Sequence, residues 1–305
     1  MPALPTLATL AADLDSGRTT SRKLVEDCIA RIADPAGEGQ RAFIHVDKDA
    51  ALAVADAMDG LRKAKAVPSR YAGIPISIKD LFDIKGQTTR AGSRALDDSD
   101  PAEHDATTVA RLRQAGFVLI GRTNMTEFAY SGIGINPHFG TPKGAWNRAE
   151  GHVPGGSSSG AAVSVLDGMA HGALGTDTGG SCRIPAAYNG IVGYKPTQRR
   201  VPLDGAVPLS FSLDSIGPLA RSVSCCAILD AVLANEPMVA LRPRPVRGMR
   251  LAVPTTIALD DLDAPVAQTF ERALKALADH GTIIERVEMT EFHDIGPMNA
   301  KGGFA

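Results

Sequence analysis

The sequence predicts an α/β protein with a mixed, mostly parallel central sheet flanked by helices. Three observations lead to this class. In residues 74–79, isoleucine alternates with Pro, Ser and Lys, which is the period of two expected of a strand. A helical pattern over 105–116 runs directly into the apolar residues 117–120. Residues 249–287 give the order strand, helix, strand, a unit that favours parallel pairing beneath a helix.

Helices are predicted before the first of these strands. Ser21 is the predicted cap of a helix whose apolar residues recur on one face as far as Ile32. A second helix is predicted over 49–64. The strand at 74–79 is predicted to be half-buried, with Lys79 at its end on the face opposite the isoleucines.

The later elements are marked by glycines and by a change in composition. Asp105 is the predicted cap of the next helix and Gly116 its end. Residues 131–160 are rich in Gly, Pro and Ser without apolar periodicity, so they are predicted to form a long loop of the kind that carries function. A helix of small residues is predicted from about 159 to 167. The last unit is predicted as a strand at 249–253, a helix at 265–280 with Phe270, Leu274 and Leu277 inward, a stop at Gly281 and a strand at 283–287.

Composition excludes several classes of protein. Lys and Arg number 32 against 34 Asp and Glu, so the net charge of −2 gives no general attraction to nucleic acid or to anionic lipid. The hydrophobic fraction of 44% is typical of a folded chain. The N-terminus lacks the pattern of a signal peptide, and the longest apolar stretch, 160–175, is too short to span a bilayer. These features favour a cytoplasmic protein.

Cysteine and histidine usage predicts neither disulfides nor a metal site. The four cysteines include no C-x-x-C pair, and the seven histidines are dispersed. A length of 305 residues allows one large domain or two ordinary ones. We interpret the Arg- and Pro-rich residues 241–247 as a connection rather than a boundary, so the chain is predicted to be a single domain over 1–305.

Two glycine- and serine-rich loops, 154–160 and 175–185, flank the short helix of small residues. Runs of backbone N–H groups in such loops can bind a phosphate or an oxyanion. Residues 156–160 also match the G-x-S-x-G nucleophile elbow with Ser158 at the centre, although no good strand precedes them. The first loop is also similar to the phosphate loop of the GHMP kinases. A P-loop NTPase is excluded because no G-x-x-x-x-G-K-[ST] motif occurs.

Five segments together carry a more specific resemblance. They are Gly73–Asp80, Gly121–Ala129, Pro154–Gly160, Gly175–Pro185 and Gly193–Thr197. In this order and spacing they resemble the amidase signature family, collinearly over about 70–221, half of the chain. The resemblance implies the amidase signature fold and a Ser-Ser-Lys triad.

The triad falls on Lys79, Ser157 and Ser181. The resemblance makes Ser181 the nucleophile and Ser157 the proton shuttle to Lys79, and it implies a cis peptide bond between Gly156 and Ser157. The chemistry agrees, because a serine hydroxyl needs a base to become a good nucleophile. A lysine can be that base if burial holds it neutral.

The resemblance also assigns the turn that follows. Backbone N–H groups of Thr178, Gly179, Gly180 and Ser181 would receive the oxyanion. Supporting roles fall on Ser158 and on the charged residues Asp177 and Arg183, which would brace the turn. Cys182, beside the nucleophile, is predicted to be an inert buried residue. Asn124 and Glu127 lie in a matching segment without a predicted catalytic role.

The implied function is hydrolysis of a carboxylic amide through an acyl-enzyme, without a cofactor and with a small-molecule substrate. Two alternatives stay open: the glutaminase subunit of a tRNA-dependent amidotransferase, and a non-catalytic binding protein. Family members usually continue much further, so the chain is expected to be incomplete at its C-terminus. The sequence sets neither the particular amide nor the oligomeric state, for which a homo-oligomer is one option.

Overall fold

The computed structural model describes residues 4–300, which form two compact units divided between Ala240 and Leu241. The first unit contains α1 (Leu7–Asp15), α2 (Ser21–Ala33), α3 (Gly39–Ala42), β1 (Phe43–Val46), α4 (Lys48–Lys63), β2 (Pro75–Lys79), α5 (Thr107–Gln114), β3 (Val118–Thr123), α6 (Ser159–Leu166), β4 (Ala173–Asp177), α7 (Arg183–Tyr188), β5 (Val192–Gly193), β6 (Ser215–Ala220) and α8 (Val223–Leu233). The second contains β7 (Arg250–Pro254), α9 (Ala264–Asp279), β8 (Ile283–Val287) and α10 (Ile295–Ala300). The sequence predicts no boundary at 241, and the assignment of 1–305 to a single domain stays a prediction.

The first unit is built around a six-stranded sheet in the order β1-β3-β2-β4-β6-β5. The central strand β2 is parallel to both β3 and β4, whereas the outer pairs are antiparallel. The predicted α/β class with a mixed central sheet is therefore confirmed. Parallel pairing brings the carboxyl ends of β2 and β4 to one edge of the sheet, and β6 starts at that edge because it runs the other way.

The sheet is covered on both faces. Ile74, Ile76 and Ile78 pack in a core shared with α1, α5 and α8. On the opposite face Ser77 bonds Ser164 of α6, with 2.9 Å between the hydroxyl oxygens. All five residues of β2 are buried, so the prediction of a half-buried strand is wrong. Alternation marked the two faces, but a helix of small residues also covers the polar one.

Helix α6 packs closely against the backbone of Ala42 and Asn124 because its first turn contains Gly160. A side chain at that position would meet the carbonyl oxygen of Ala42. Every residue of α6 from Ser159 to Val165 is buried. The short helix therefore fixes the loop before it, residues 154–158, against the sheet.

Two predicted caps are corrected by the structure. Thr20, not Ser21, caps α2, accepting from the N–H of Lys23, while the Ser21 hydroxyl is buried and donates to the carbonyl of Gly73. Asp105 lies one residue before the Ala106 cap of α5 and instead accepts from the N–H of Lys85. In both cases a tertiary contact takes the polar side chain away from its local role.

In the second unit β7 and β8 pair in parallel, as the strand-helix-strand pattern predicted. They form a separate two-stranded sheet, which the sequence did not predict. Leu274 of α9 is buried and Leu277 is partly buried. Phe270 is 37% exposed, which corrects its predicted inward position. Two strands offer too little area to cover the whole apolar face of a 16-residue helix.

Within residues 4–300, no helix has the length and apolar character needed to cross a membrane. Across the same part of the chain, no three His, Cys, Asp or Glu side chains come together so that they could hold a metal ion.

Acid is expected to destabilise the protein through His171, which is 8% exposed between α6 and β4. Burial, with the charges of Arg221 and Arg31, lowers the pKa of His171 to about 4. Between that value and 6.5 the unfolded chain binds more protons than the folded one, so stability falls as the pH falls through this window. At pH 5 we expect a loss of about 2 kcal/mol from this group.

Thermal unfolding at pH 7 and pH 5 measures this effect. His171→Leu, which cannot titrate, should lose less stability between the two pH values than the wild type. The exposed His104 provides the matched control, since His104→Leu should leave the pH dependence unchanged. An equal loss in His171→Leu and wild type would contradict the assignment.

Candidate active site

Lys79 is fully buried at the carboxyl end of β2. Its Nζ donates to the Oγ of Ser157 at 2.7 Å and to the Oγ1 of Thr176 at 2.8 Å. Lysine is almost never fully buried without a specific partner. The amine of Lys79 is therefore held in the interior by two hydroxyl partners and is not a solvent-exposed group at the end of a strand.

The surroundings of Lys79 favour its neutral form. Burial lowers the pKa of Lys79 to about 8, against the opposing effect of the carboxylates of Asp177 and Asp214. The side chain of the adjacent Asp80 points away and bonds Arg122, with 2.6 Å between Oδ1 and Nε. At pH 7 about a tenth of Lys79 is thus unprotonated and able to accept a proton, and this fraction rises to about half at pH 8.

Ser157 is held by the backbone of its loop. The Gly156–Ser157 peptide bond is cis, as predicted. The carbonyl of Ser157 accepts from the N–H of Thr126 at 3.0 Å, and the N–H of Gly156 donates to the carbonyl of Gly132 at 2.7 Å. The serine hydroxyl consequently faces Lys79 from a fixed position.

Asp177, the last residue of β4, organises the turn that follows. Its carboxylate accepts from the N–H groups of Gly180 at 2.8 Å and Cys182 at 3.1 Å, and it forms a two-contact ion pair with the Arg183 guanidinium. Burial alone would raise the pKa of Asp177, but Arg183 and these N–H donors hold it below its ordinary value. These contacts tie Arg183 and the backbone of the turn to Asp177, whereas the supporting role of the two residues in catalysis stays a prediction.

One predicted oxyanion donor is already engaged. The Gly180 N–H donates to Asp177 and so is not free, because the carboxylate closes the turn on it. Among the described residues, the N–H groups of Gly179 and Ser181 have no acceptor. A side chain at 179 would meet open space, whereas Gly180 has φ +131° and a Cβ there would lie 2.6 Å from Ile184 Cδ1. Gly179 thus leaves the approach to these donors open.

Ser181 is 7% exposed at the end of this turn. The turn contacts the serine loop through the backbone, since the N–H of Ser158 donates to the carbonyl of Ser181 at 3.3 Å. In the described structure no hydrogen bond joins the hydroxyls of Ser181 and Ser157. The link between nucleophile and shuttle accordingly stays a prediction.

Ser158 has a structural contact and lacks the setting of a nucleophile elbow. Its hydroxyl donates to the carbonyl of Thr176 at 3.4 Å. Residues 148–158, which precede α6, contain no strand, although the elbow motif requires a strand before the serine. The geometry agrees with the supporting position predicted for Ser158.

Sequence reasoning missed Thr176 and Asp214. Thr176 is a polar residue in the buried strand β4, and a polar side chain in a mostly apolar buried strand is the sequence feature that could have indicated it. Asp214 comes just before β6, and its Oδ1 accepts from the Thr178 hydroxyl. Only the antiparallel pairing of β4 with β6, which aligns Asp177 with Ser215, places Asp214 at the site.

A cavity of about 340 Å³ opens beside these residues. Its walls are mostly apolar, with Thr176, Thr178 and Asp214 on one side. The remaining wall residues are Leu81, Ala129, Leu203, Asp204, Gly205, Ala206, Val207, Pro208, Leu209 and Phe211. A small organic group could therefore lie next to the turn.

Asn124 and Glu127 have structural partners. The Asn124 amide donates to the carbonyls of Arg41 and Gly140, and Glu127 accepts from the Ser93 hydroxyl. These contacts give no reason to add either residue to the reaction.

Replacement of Cys182 by alanine is expected to leave catalysis within about threefold of wild type, since the buried thiol acts as a small apolar group. Its side chain is fully buried, and burial raises the pKa of the thiol, so no thiolate is available. The activity and the melting temperature of the Cys182→Ala protein, each compared with wild type, check this. A folded variant without activity would contradict it.

The buried lysine, the serine that it bonds and the glycine-rich turn thus lie together where β2 and β4 end. The chain belongs to the amidase family, whose model matches residues 23–302. This membership also removes the GHMP kinase alternative.

Three relatives illustrate the range of the family. The 2-amino-5-chloromuconic acid deaminase of Comamonas testosteroni is 38% identical, over 98% of this chain and 65% of that protein. A glutamyl-tRNA(Gln) amidotransferase subunit, from Chromohalobacter salexigens, is also 38% identical, over 94% of this chain and 61% of its own length. The solved structure of the peptide amidase from Stenotrophomonas maltophilia superimposes with a TM-score of 0.85 at 34% identity, over 98% of this chain and 64% of that one. The chain thus spans less than two thirds of each relative.

Proposed function

We propose that this chain hydrolyses a carboxylic amide through an acyl-enzyme formed on Ser181. The observation that carries the proposal is the buried Lys79, hydrogen-bonded to Ser157 and with its pKa lowered to about 8 by burial. A neutral amine in that position has a nearby serine hydroxyl through which it can take a proton. Family membership supports the same reaction class.

Acylation starts with proton transfer. The Ser181 oxygen bonds the amide carbon while its proton passes to Ser157, which gives its own proton to Lys79. Negative charge on the former carbonyl oxygen is met by the N–H groups of Gly179 and Ser181. The carbon–nitrogen bond then breaks, and the leaving nitrogen takes the proton back from Lys79 through Ser157. Water repeats the sequence to release the acid and free Ser181.

An ammonia-release assay over a panel of aliphatic, aromatic and peptide amides tests this proposal. We expect release of one ammonia or amine per acid formed, and none with Ser181→Ala. A folded chain that turns over no member of the panel would favour the alternative of a non-catalytic binding protein.

A second candidate is a glutaminase subunit that passes ammonia to a partner. The chain is 38% identical to an amidotransferase subunit and equally identical to the deaminase relative, so sequence identity supports both candidates to the same extent. Hydrolysis of L-glutamine in preference to simple amides would support this candidate. Efficient hydrolysis of simple amides by the chain alone would favour the free amidase.

A further inference from the structure

Asp214 lies where the start of β6, the turn that ends in Ser181 and the segment 203–211 meet. It lies one residue before β6, directly opposite Thr178 in the antiparallel register that pairs Asp177 with Ser215. It is 7% exposed, and its side chain forms part of the cavity wall. A carboxylate so deeply placed needs specific donors.

Both carboxylate oxygens have such donors. Oδ1 accepts from the hydroxyl of Thr178, the first residue of the turn that ends in Ser181. Oδ2 accepts from the backbone N–H groups of Leu209 at 2.9 Å and Ser210 at 3.0 Å. One side chain therefore joins the nucleophile turn to the segment 203–211, which forms most of the cavity wall.

The same wall is also joined to the segment that follows the lysine strand. The N–H of Val207 donates to the carbonyl of Leu81, two residues after Lys79, at 2.9 Å. The wall consequently has an attachment beside the proposed base and another beside the proposed nucleophile. Of these two, the attachment beside the nucleophile depends on a side chain.

We propose that Asp214 is a positioning residue that sets the nucleophile turn relative to the cavity wall through Thr178. The proposal rests on the proposed function, because it concerns the reactivity of Ser181. Asp214 acts through Thr178 and does not touch the reacting atoms. Its loss should slow reaction at Ser181 while leaving the chain folded.

The charge of Asp214 supplies a second readout. The titratable groups that face Lys79 are Asp177, Asp214 and Cys182, and a carboxylate among them favours the ammonium form. Removing the Asp214 charge should move the midpoint of the pH–rate profile to lower pH. A merely structural role would lower stability without moving that midpoint.

A fluorophosphonate probe measures both effects without knowledge of the substrate, because the serine oxygen bonds phosphorus as fluoride leaves. In Asp214→Asn we expect the labelling rate at Ser181 at pH 9 to fall about tenfold, since misplacing oxyanion donors weakens transition-state binding. The midpoint should also move below that of the wild type. The matched control is Asp230→Asn, which alters a buried carboxylate on α8 that bonds Arg200. It should keep the wild-type rate and midpoint.

Thr178→Val gives an independent test should Asp214→Asn fail to fold, since it removes only the hydroxyl contact. We expect slower labelling with no change in midpoint. Wild-type rates and midpoints in the folded variants would overturn this proposal alone. Absence of labelling at Ser181 in the wild-type chain would overturn the proposed function and this inference with it.

Discussion

Replacing Ser181 by alanine is expected to reduce amide hydrolysis by at least about 10⁴-fold. The variant keeps the backbone N–H donors of the turn but has no oxygen to form the acyl-enzyme. Because the side chain is small and 7% exposed, its loss should change the melting temperature little. Ammonia release and thermal unfolding of the same preparation measure both quantities.

The control for this substitution is Ser164→Ala. Ser164 is also a buried serine of the site region, on α6, but its hydroxyl bonds Ser77 and the carbonyl of Ala161. It should retain activity within a few-fold of wild type. Substantial hydrolysis by Ser181→Ala would show that another group attacks the amide.

Replacing Lys79 by methionine is expected to lower the rate at pH 7 by about 10²–10⁴-fold, the range for loss of a general base. In the wild type the rate should rise with pH and level off above about 8, because burial lowers the pKa of Lys79 to that value and only the neutral amine accepts a proton. Below the midpoint the rate should fall about tenfold for each pH unit. A profile of the wild type from pH 6 to 9.5 measures this.

The folding stability of the protein should also depend on the protonation of Lys79. The pKa of Lys79 is lowered from 10.5 to about 8 on folding, so between these values the unfolded chain binds more protons and wild-type stability rises with pH. Below pH 8 the folded protein carries the cost of a buried ammonium group, which Lys79→Met removes. The variant should therefore combine this loss of activity with a stability at pH 7 at least equal to that of the wild type. Lys85→Met, at an exposed lysine of the following loop, should change neither property. A flat wild-type profile, or full activity in Lys79→Met, would contradict the assignment of the base.

The local pattern of the sequence predicted the parts of the site that depend on a few consecutive residues. Alternation in 74–79 placed Lys79 opposite the isoleucines, and the structure confirms this with Ser77 bonded to α6. Asp177 and Arg183 flank the glycine-rich turn, and in the structure their carboxylate and guanidinium are paired. In each case backbone periodicity or a tight turn alone determines which side chains meet.

What the sequence could not predict depends on contacts between distant segments. Thr176 contacts Lys79 only when β4 pairs with β2. Asp214 contacts Thr178 only when β6 pairs with β4. The engagement of Gly180 with Asp177 depends on the direction of a single N–H group, which residue identity does not determine. Ser21 lost its predicted capping role because its hydroxyl bonds the carbonyl of Gly73.

The most direct test of the proposed triad maps the fluorophosphonate adduct by mass spectrometry in the wild type, Lys79→Ala and Ser157→Ala. We expect an adduct on Ser181 in the wild type and much slower labelling in both variants, since each breaks the path from nucleophile to base. An adduct on Ser158, equal labelling in all three proteins, or no adduct in the folded wild type would contradict the triad.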